Sequence, residues 1–313
     1  MSDAFLGYAL ASSALLFFTA AILGTKAASS RMDLSLGFLI ATFANVVFAG
    51  VALAVQLLLQ AGTLDFNARA FWYFAAAGFF STYLGRWFFY ESVVRFGAAK
   101  ASIFQVSSPV FTALIAWAVL GESLPLLVLA AMLLAVLGLV VVAAKPGALS
   151  AQPSVPSVAP PGPSLSQRLL GSVLLLGAGS SLAYAVGNVL RGAAVRAWNE
   201  PIVGALVGAV TGLLLYLVFA PNKGQLVARM RAADKRGVWL YALIGVFTIA
   251  GQTSTIAAMR YIPLSIATLV TLCTPLLVFP LSQWLFKSQE PISRNTLIGS
   301  AMAFAGIVII VLR

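Results

Sequence analysis

Two ionisable residues stand inside an otherwise apolar stretch, Phe79–Phe80–Ser81–Thr82–Tyr83–Leu84–Gly85–Arg86–Trp87–Phe88–Phe89–Tyr90–Glu91. A guanidinium at depth in lipid is costly unless it is paired or hydrated. Arg86 can therefore serve as a fixed cation that grips a carboxylate or other anionic group through two parallel N–H···O bonds. Two plainer readings stay open: the side chain snorkels to the headgroups, or it pairs with a carboxylate on a neighbouring helix. Glu91 is the one acidic residue expected inside a span. Burial would raise its pKa towards the range where it loads and releases protons. It also stands four residues before Arg95, the favourable order for a helix-end ion pair. Arg86 and Glu91 are five residues apart, so on a regular α-helix they face different directions. Direct pairing would need an irregular helix.

Around this pair the polar side chains fall at spacings of three and four, which puts them on one face of a helix. In lipid such a face must meet a partner helix or a water-filled cavity. The cavity-lining set expected on this basis is Asn45, Tyr83, Arg86, Tyr90, Gln105, Tyr184, Asn188, Thr248, Gln252, Thr255 and Thr271. The hydroxyl residues have a plainer explanation, a bond to a carbonyl of their own helix. The amides Asn45, Gln105, Asn188 and Gln252 fit that explanation less well, because a buried amide needs several partners.

Composition narrows the chemistry. The chain has 313 residues, 61% of them hydrophobic and 9% charged, against about 45–50% and about 25% in soluble domains. Lipid is the only solvent that accepts so much apolar surface. The net charge of +11 comes from Lys and Arg placed mostly between apolar runs. They read as membrane-orienting charges rather than a nucleic-acid footprint. The chain has no histidine, which removes the usual base of Ser–His enzymes and the commonest zinc ligand. No metal, cofactor or enzymatic activity is expected. Cys273 is the single cysteine, so no disulfide forms within the chain. The first residues, Met1–Ser2–Asp3, have no basic segment, and the first apolar run reads as a retained helix.

Ten runs approach the ~20 residues that a bilayer-crossing helix needs. They are Ala4–Gly24, Leu34–Gln60, Ala70–Val94, Ala101–Leu120, Leu126–Ala144, Leu169–Leu190, Ile202–Ala220, Val238–Ala258, Leu264–Phe286 and Thr296–Leu312. A Pro-, Ser- and Ala-rich stretch over 146–167 cannot build a core and reads as a linker. It separates a first unit, 1–145, from a second, 168–313. Arg95–Phe96 leads into an apolar run with Pro109, then Trp117 and Glu122. Arg260–Tyr261 leads into another with Pro275, then Trp284 and Glu290. Each half has five spans, an odd number, so the expected fold is all-α: ten transmembrane helices as two inverted five-helix repeats. Pro109 and Pro275 free a backbone carbonyl inside matched spans and read as hinges or as static kinks. Spans five and ten carry small-residue rows and few polar groups. They read as scaffold or as contacts of a homodimer. Loops after odd-numbered spans hold 13 basic residues and the other side 5, with Arg86 set aside. The positive-inside rule then puts both termini outside the cytoplasm.

Gly85–Arg86, Arg95–Phe96–Gly97–Ala98–Ala99–Lys100–Ala101–Ser102, Ser108–Pro109–Val110–Phe111 and Leu120–Gly121–Glu122–Ser123–Leu124 resemble the ten-helix members of the drug/metabolite transporter superfamily that carry two EamA-type domains. Arg260–Tyr261, Thr274–Pro275–Leu276 and Glu290–Pro291 carry the likeness into the second half. There Lys287–Ser288–Gln289–Glu290 lacks the Gly-Glu of the first. The resemblance implies alternating access around a central cavity and outward movement of amino acids, nucleotide sugars, other metabolites or drugs, often coupled to protons. It also implies cytoplasmic termini, the reverse of the charge count. The function expected is a secondary exporter of small metabolites in the plasma membrane, the inner membrane of a bacterium, since no G-x-x-x-x-G-K-[ST] motor sequence occurs. The alternative is a flippase for a lipid-linked substrate, with Phe79, Phe80, Trp87, Phe88 and Phe89 along its tail.

Overall fold

Short polar residues at the helix starts set where the apolar runs begin. The Asp33 carboxylate accepts bonds from the Ser35 and Leu36 amides, at 3.3 and 3.4 Å. Asn67 accepts from the Ala70 amide at 3.0 Å, and Asp234 from the Arg236 and Gly237 amides at 3.2 and 3.3 Å. Each cap satisfies N–H groups that the first turn of a helix leaves orphaned. The computed structural model describes residues 3–28, 31–60, 65–89, 108–121, 123, 125–143, 173–219 and 226–274, with single positions and pairs between 277 and 309.

The helices are α1 (Asp3–Ala28), α2 (Leu34–Gln60), α3 (Ala68–Ala77), α4 (Ser108–Leu120), α5 (Leu126–Ala143), α6 (Val173–Ala197), α7 (Pro201–Phe219), α8 (Leu226–Arg231), α9 (Lys235–Tyr261) and α10 (Leu264–Leu272). After α3 the chain continues as a π-helical segment, Gly78–Gly85, and is α-helical again over 86–89. No strand occurs among the described residues. By length and composition, four stretches among them are able to cross a bilayer: Asp3–Thr25, Ser35–Leu59, Pro201–Phe219 and Lys235–Tyr261.

Two expectations change here. The sixth span was expected to stop at Leu190, before the first arginine. Helix α6 instead runs on to Ala197, so Arg191 is an intrahelical residue, 7% exposed, and not a loop charge. That takes one of the five basic residues off the less basic side. The loop before the eighth span contains the short helix α8, which apolar periodicity does not mark.

Helix α1 lies along α9, and α2 packs on both α9 and α7. On the other flank, α3 and the π segment pack on α6 and α7, while α4 packs on α6 and α10, and α10 returns to α1. Phe74 of α3 is fully buried against Trp198 beyond the end of α6, their rings 6.5 Å apart. Helix α5 adds Ala131 and Met132 to the buried core, while its Leu126, Leu133 and Leu137 are exposed. Trp72, Trp117, Trp239 and Trp284 are exposed too, as expected for indoles at the level of the headgroups.

Close helix approach is what seats the π segment. A Cβ on Gly78 would stand 2.7 Å from the Gly208 carbonyl oxygen. One on Gly212 would stand 2.4 Å from the Thr82 methyl, and one on Gly187 would stand 2.6 Å from the Ser81 Cβ. Glycines on α6 and α7 thus let the segment sink between them, the small-residue route to association in lipid. The turn after α4 uses Gly121 at φ +65°, a left-handed conformation that costs glycine nothing.

The α1–α2 turn and the α8–α9 turn meet at one end of the bundle. Arg31 pairs with Asp234 at 3.5 Å, and Arg229 pairs with Asp33. Arg229 also donates to the Ser35 hydroxyl, and the Tyr216 hydroxyl donates to the Ser35 carbonyl. At the opposite end, Gln56 donates to the Glu200 carboxylate at 2.9 Å.

Candidate functional site

The polar centre of the bundle is built on Arg191. Helix α6 presents its guanidinium to the π segment, where Nη2 donates to the Ser81 and Thr82 hydroxyls. Nη1 donates to the Asn188 amide oxygen one turn back, at 3.4 Å. Every one of these partners is neutral. The buried Nε has no partner. Ser81 in turn donates to the Ala77 carbonyl.

Arg86 follows Ser81 and Thr82 in the same stretch, immediately after the end of the π segment at Gly85. The Tyr184 ring covers Gly85, where a Cβ would meet it at 3.1 Å, and the Ser180 hydroxyl donates to the Gly85 carbonyl at 2.9 Å. Both contacts pin the π segment to α6 directly beside Arg86. The Arg86 guanidinium itself sits over the Phe38 ring, 4.7 Å from its centroid. That cation–π contact offsets part of the charge without neutralising it. Among the described residues no carboxylate forms an ion pair with either arginine.

A π segment inserts extra backbone into a helix and frequently marks a functional position. Here it ends at Gly85, immediately before Arg86, and so does not fall between Arg86 and Glu91. Gln252 of α9 reaches Gly208 of α7, one of the glycines that seat the π segment. Its buried Nε2 has no partner and stands 3.7 Å from where a Gly208 Cβ would be. Tyr83 turns instead towards Phe219, with ring centroids 5.8 Å apart.

Several expected site residues are otherwise engaged. The Asn45 amide, oriented with its nitrogen towards the carbonyls, donates to Ala41 at 3.0 Å and to Gly245 at 2.6 Å. It fastens α2 to α9. Thr248, Thr255 and Thr271 donate to carbonyls of their own helix, at Ile244, Gly251 and Thr268, the plainer reading of such hydroxyls. Pro109 lies in the first described turn of α4. Tyr90, Glu91, Gln105 and Pro275 lie outside the described residues.

Arg191 and Ser81 are central and were absent from the expected set. The row Ser181, Tyr184, Asn188, Arg191 at helical spacing puts Arg191 on the polar face of the sixth span, although the charge count places it with the loop residues. A shallow cavity of about 460 Å³ lies elsewhere, at the Gln56–Glu200 end. It is lined by Leu120, Gly121, Ser123, Arg196, Arg260, Tyr261, Ile262 and Pro263 and holds none of the expected residues.

An all-helical, lipid-facing bundle with a cationic polar centre is a frame for moving solutes, and the sequence comparison says which one. Residues 5–144 and 171–312 both match the model of the EamA-like transporter family. The chain belongs to that family. It is accordingly a multi-pass membrane transporter of the drug/metabolite superfamily, and the family is one of carriers, not enzymes. The stretch between the two EamA matches is the Pro-rich one. No curated protein matches this EamA chain in sequence. A solved structure described as "Crystal structure of protein" is similar in fold, with a TM-score of 0.70 over 99% of this chain and 96% of its own, at 18% identity.

Proposed function

We propose that the chain is a secondary transporter that exports small metabolites, such as amino acids or related amphipathic solutes, across the plasma membrane by alternating access. The observation that carries this is the polar centre. Ser81 and Thr82 come from the first half, and Asn188 and Arg191 from the second. A site shared between two moving halves is one that their relative motion can expose to either side in turn. The outward direction and the setting in a bacterial inner membrane rest on the family resemblance.

The packing also supports ten helices in two inverted repeats. Exchange the halves, and α1 on α9 becomes α6 on α3. In the same way α2 on α9 becomes α7 on α3, and α1 on α10 becomes α6 on α4. All of these pairs occur. We take Pro109 and Pro275 as the hinges, Glu91 as the group for proton coupling, 146–167 as the linker, and spans five and ten as the faces of a homodimer. The membrane-exposed leucines of α5 suit the last of these.

The test is flux. Purified protein in proteoliposomes meets a panel of amino acids, nucleosides, organic acids and cationic drugs, with and without an imposed pH gradient. Saturable, protein-dependent movement of one class is expected. Its loss without the gradient, and in Glu91→Gln, would indicate proton coupling. No movement of any soluble compound would overturn the reading in favour of the flippase. Phe79 and Trp87, exposed on either side of Arg86, would then face the lipid tail.

A further inference from the structure

We propose that Arg191 and Arg86 form a two-arginine anion site that takes the carboxylate or phosphate group of the transported solute. This rests on the reading of the bundle as a carrier and adds the class of substrate. The buried Arg191 guanidinium is held on Ser81 and Thr82, and Arg86 follows them at the end of the same π segment. A folded chain that used Arg191 only as a tie between helices would give it a carboxylate or satisfy all of its donors, because an unpaired buried donor is penalised. Instead Ser81, Thr82 and Asn188 hold the fork by three neutral oxygens, and the buried Nε stays without a partner. The charge is positioned and not cancelled.

Arg86 is arranged in the same way. The flat face of Phe38 orients it and leaves its N–H groups free of ion pairs among the described residues. Both arginines are anchored by one irregular stretch of backbone, Arg191 through Ser81 and Thr82 and Arg86 through its neighbour Gly85. An anion entering beside them meets uncancelled positive charge and the planar donor fork that matches carboxylate and phosphate geometry. A neutral or cationic solute gains neither.

The experiment uses the full chain in a non-ionic detergent, with no anionic lipid. Thermal unfolding is followed with phenylalanine and phenylalaninamide, 3-phenylpropionate and 3-phenylpropionamide, and inorganic phosphate. Expected is a saturable rise in unfolding temperature with at least one anion-bearing probe and none with its amide. Apparent affinity for that probe should fall by about tenfold or more in Arg191→Lys, which keeps the charge but loses the fork, and should vanish in Arg191→Gln. If Arg191→Gln does not fold, Ser81→Ala and Arg86→Gln take its place, and each should weaken the acid but leave the amide unaffected. A merely structural role would lower stability without touching the acid–amide difference. The proposal is overturned if acids and amides act alike, if no anion stabilises the wild type, or if the acid effect survives in Arg191→Gln. It is overturned too if only phosphatidylglycerol stabilises the protein, which would assign the site to a lipid headgroup. Saturable flux of a cation with no acid effect would sink the anion site and leave the transporter. An acid effect without flux of any panel member would do the reverse.

Discussion

At the scale of single residues, what matters is how near the neighbouring backbone comes. Gly212 has no room for a side chain, since Thr82 occupies the space a Cβ would need, whereas Gly50 on α2 has nothing within 4 Å. Gly212→Ala should therefore destabilise the protein by about 1–3 kcal/mol through overpacking. Gly50→Ala should be neutral or stabilising by up to about 1 kcal/mol through helix propensity. Denaturant titration of the two variants in mixed micelles checks the contrast, and equal effects would mean that the π segment is not seated on α7 as described. Asn45 offers a second case. Its bond to the Gly245 carbonyl crosses from α2 to α9, and interhelical bonds in membranes average about 0.6 kcal/mol. Asn45→Ala should cost about that much and leave solute affinity unchanged. A large change in affinity with unaltered stability would return Asn45 to the substrate path.

At the scale of elements, two turns from different halves close one end of the bundle. Partial burial pushes the Asp33 carboxyl up, but the Ser35 hydroxyl and amide, Arg229 and the Leu36 amide outweigh it and hold the group below its usual value. For Asp234 the Arg236 amide is the largest influence; slight desolvation opposes it, and the Gly237 amide and Arg31 add to the lowering. A carboxyl with a depressed folded pKa stabilises the fold above its unfolded pKa, about 3.9, and that contribution is lost as pH falls through the folded value. The closure should hold unchanged at neutral pH and weaken only below the ordinary carboxylate range. Asp33→Asn should lower stability near pH 7 by about 0.2–1 kcal/mol, as for an exposed pair, and the gap to wild type should shrink as pH falls below 4. Unfolding temperature followed with pH in both proteins measures this. A gap that widens on acidification would mean that another group ties these turns.

At the scale of the whole molecule, the two ends differ. The end bearing Arg31, Asp33, Arg229 and Asp234 is knit by ion pairs between halves. The opposite end has the open cavity lined by Arg196 and Arg260. Even with Arg191 removed from the count, the loops after odd-numbered spans keep the larger share of basic residues. The positive-inside rule then assigns the ion-paired end to the cytoplasm and the termini to the outside. A tag fused at the C-terminus should accordingly be reachable in intact cells. A tag that is labelled only after lysis would reverse the assignment and agree with the orientation the family resemblance implies.

The membrane class, the helix α2 and the kinship of the halves follow from the order of residues. Apolar length and cap spacing act over a few turns, and Leu34–Gln60 was bounded correctly by them. Arg86 and Asn188 stand out in the sequence likewise, because a charge or an amide in an apolar run signals its own cost. Arg191 falls on the polar row of the sixth span yet counts as a loop charge in the orientation rule: a charge looks like a boundary until a partner helix supplies Ser81 and Thr82 to receive it. The tie that Asn45 makes was not legible, since the carbonyl it binds lies 200 positions later at Gly245. The π segment depends on Gly187, Gly208 and Gly212 of two other helices, whose missing side chains leave room for it. Local pattern thus determined which segments are helical and lipid-facing. Which polar groups meet was decided by the tertiary structure alone, because hydrogen bonding and charge repulsion depend on distances that only packing sets.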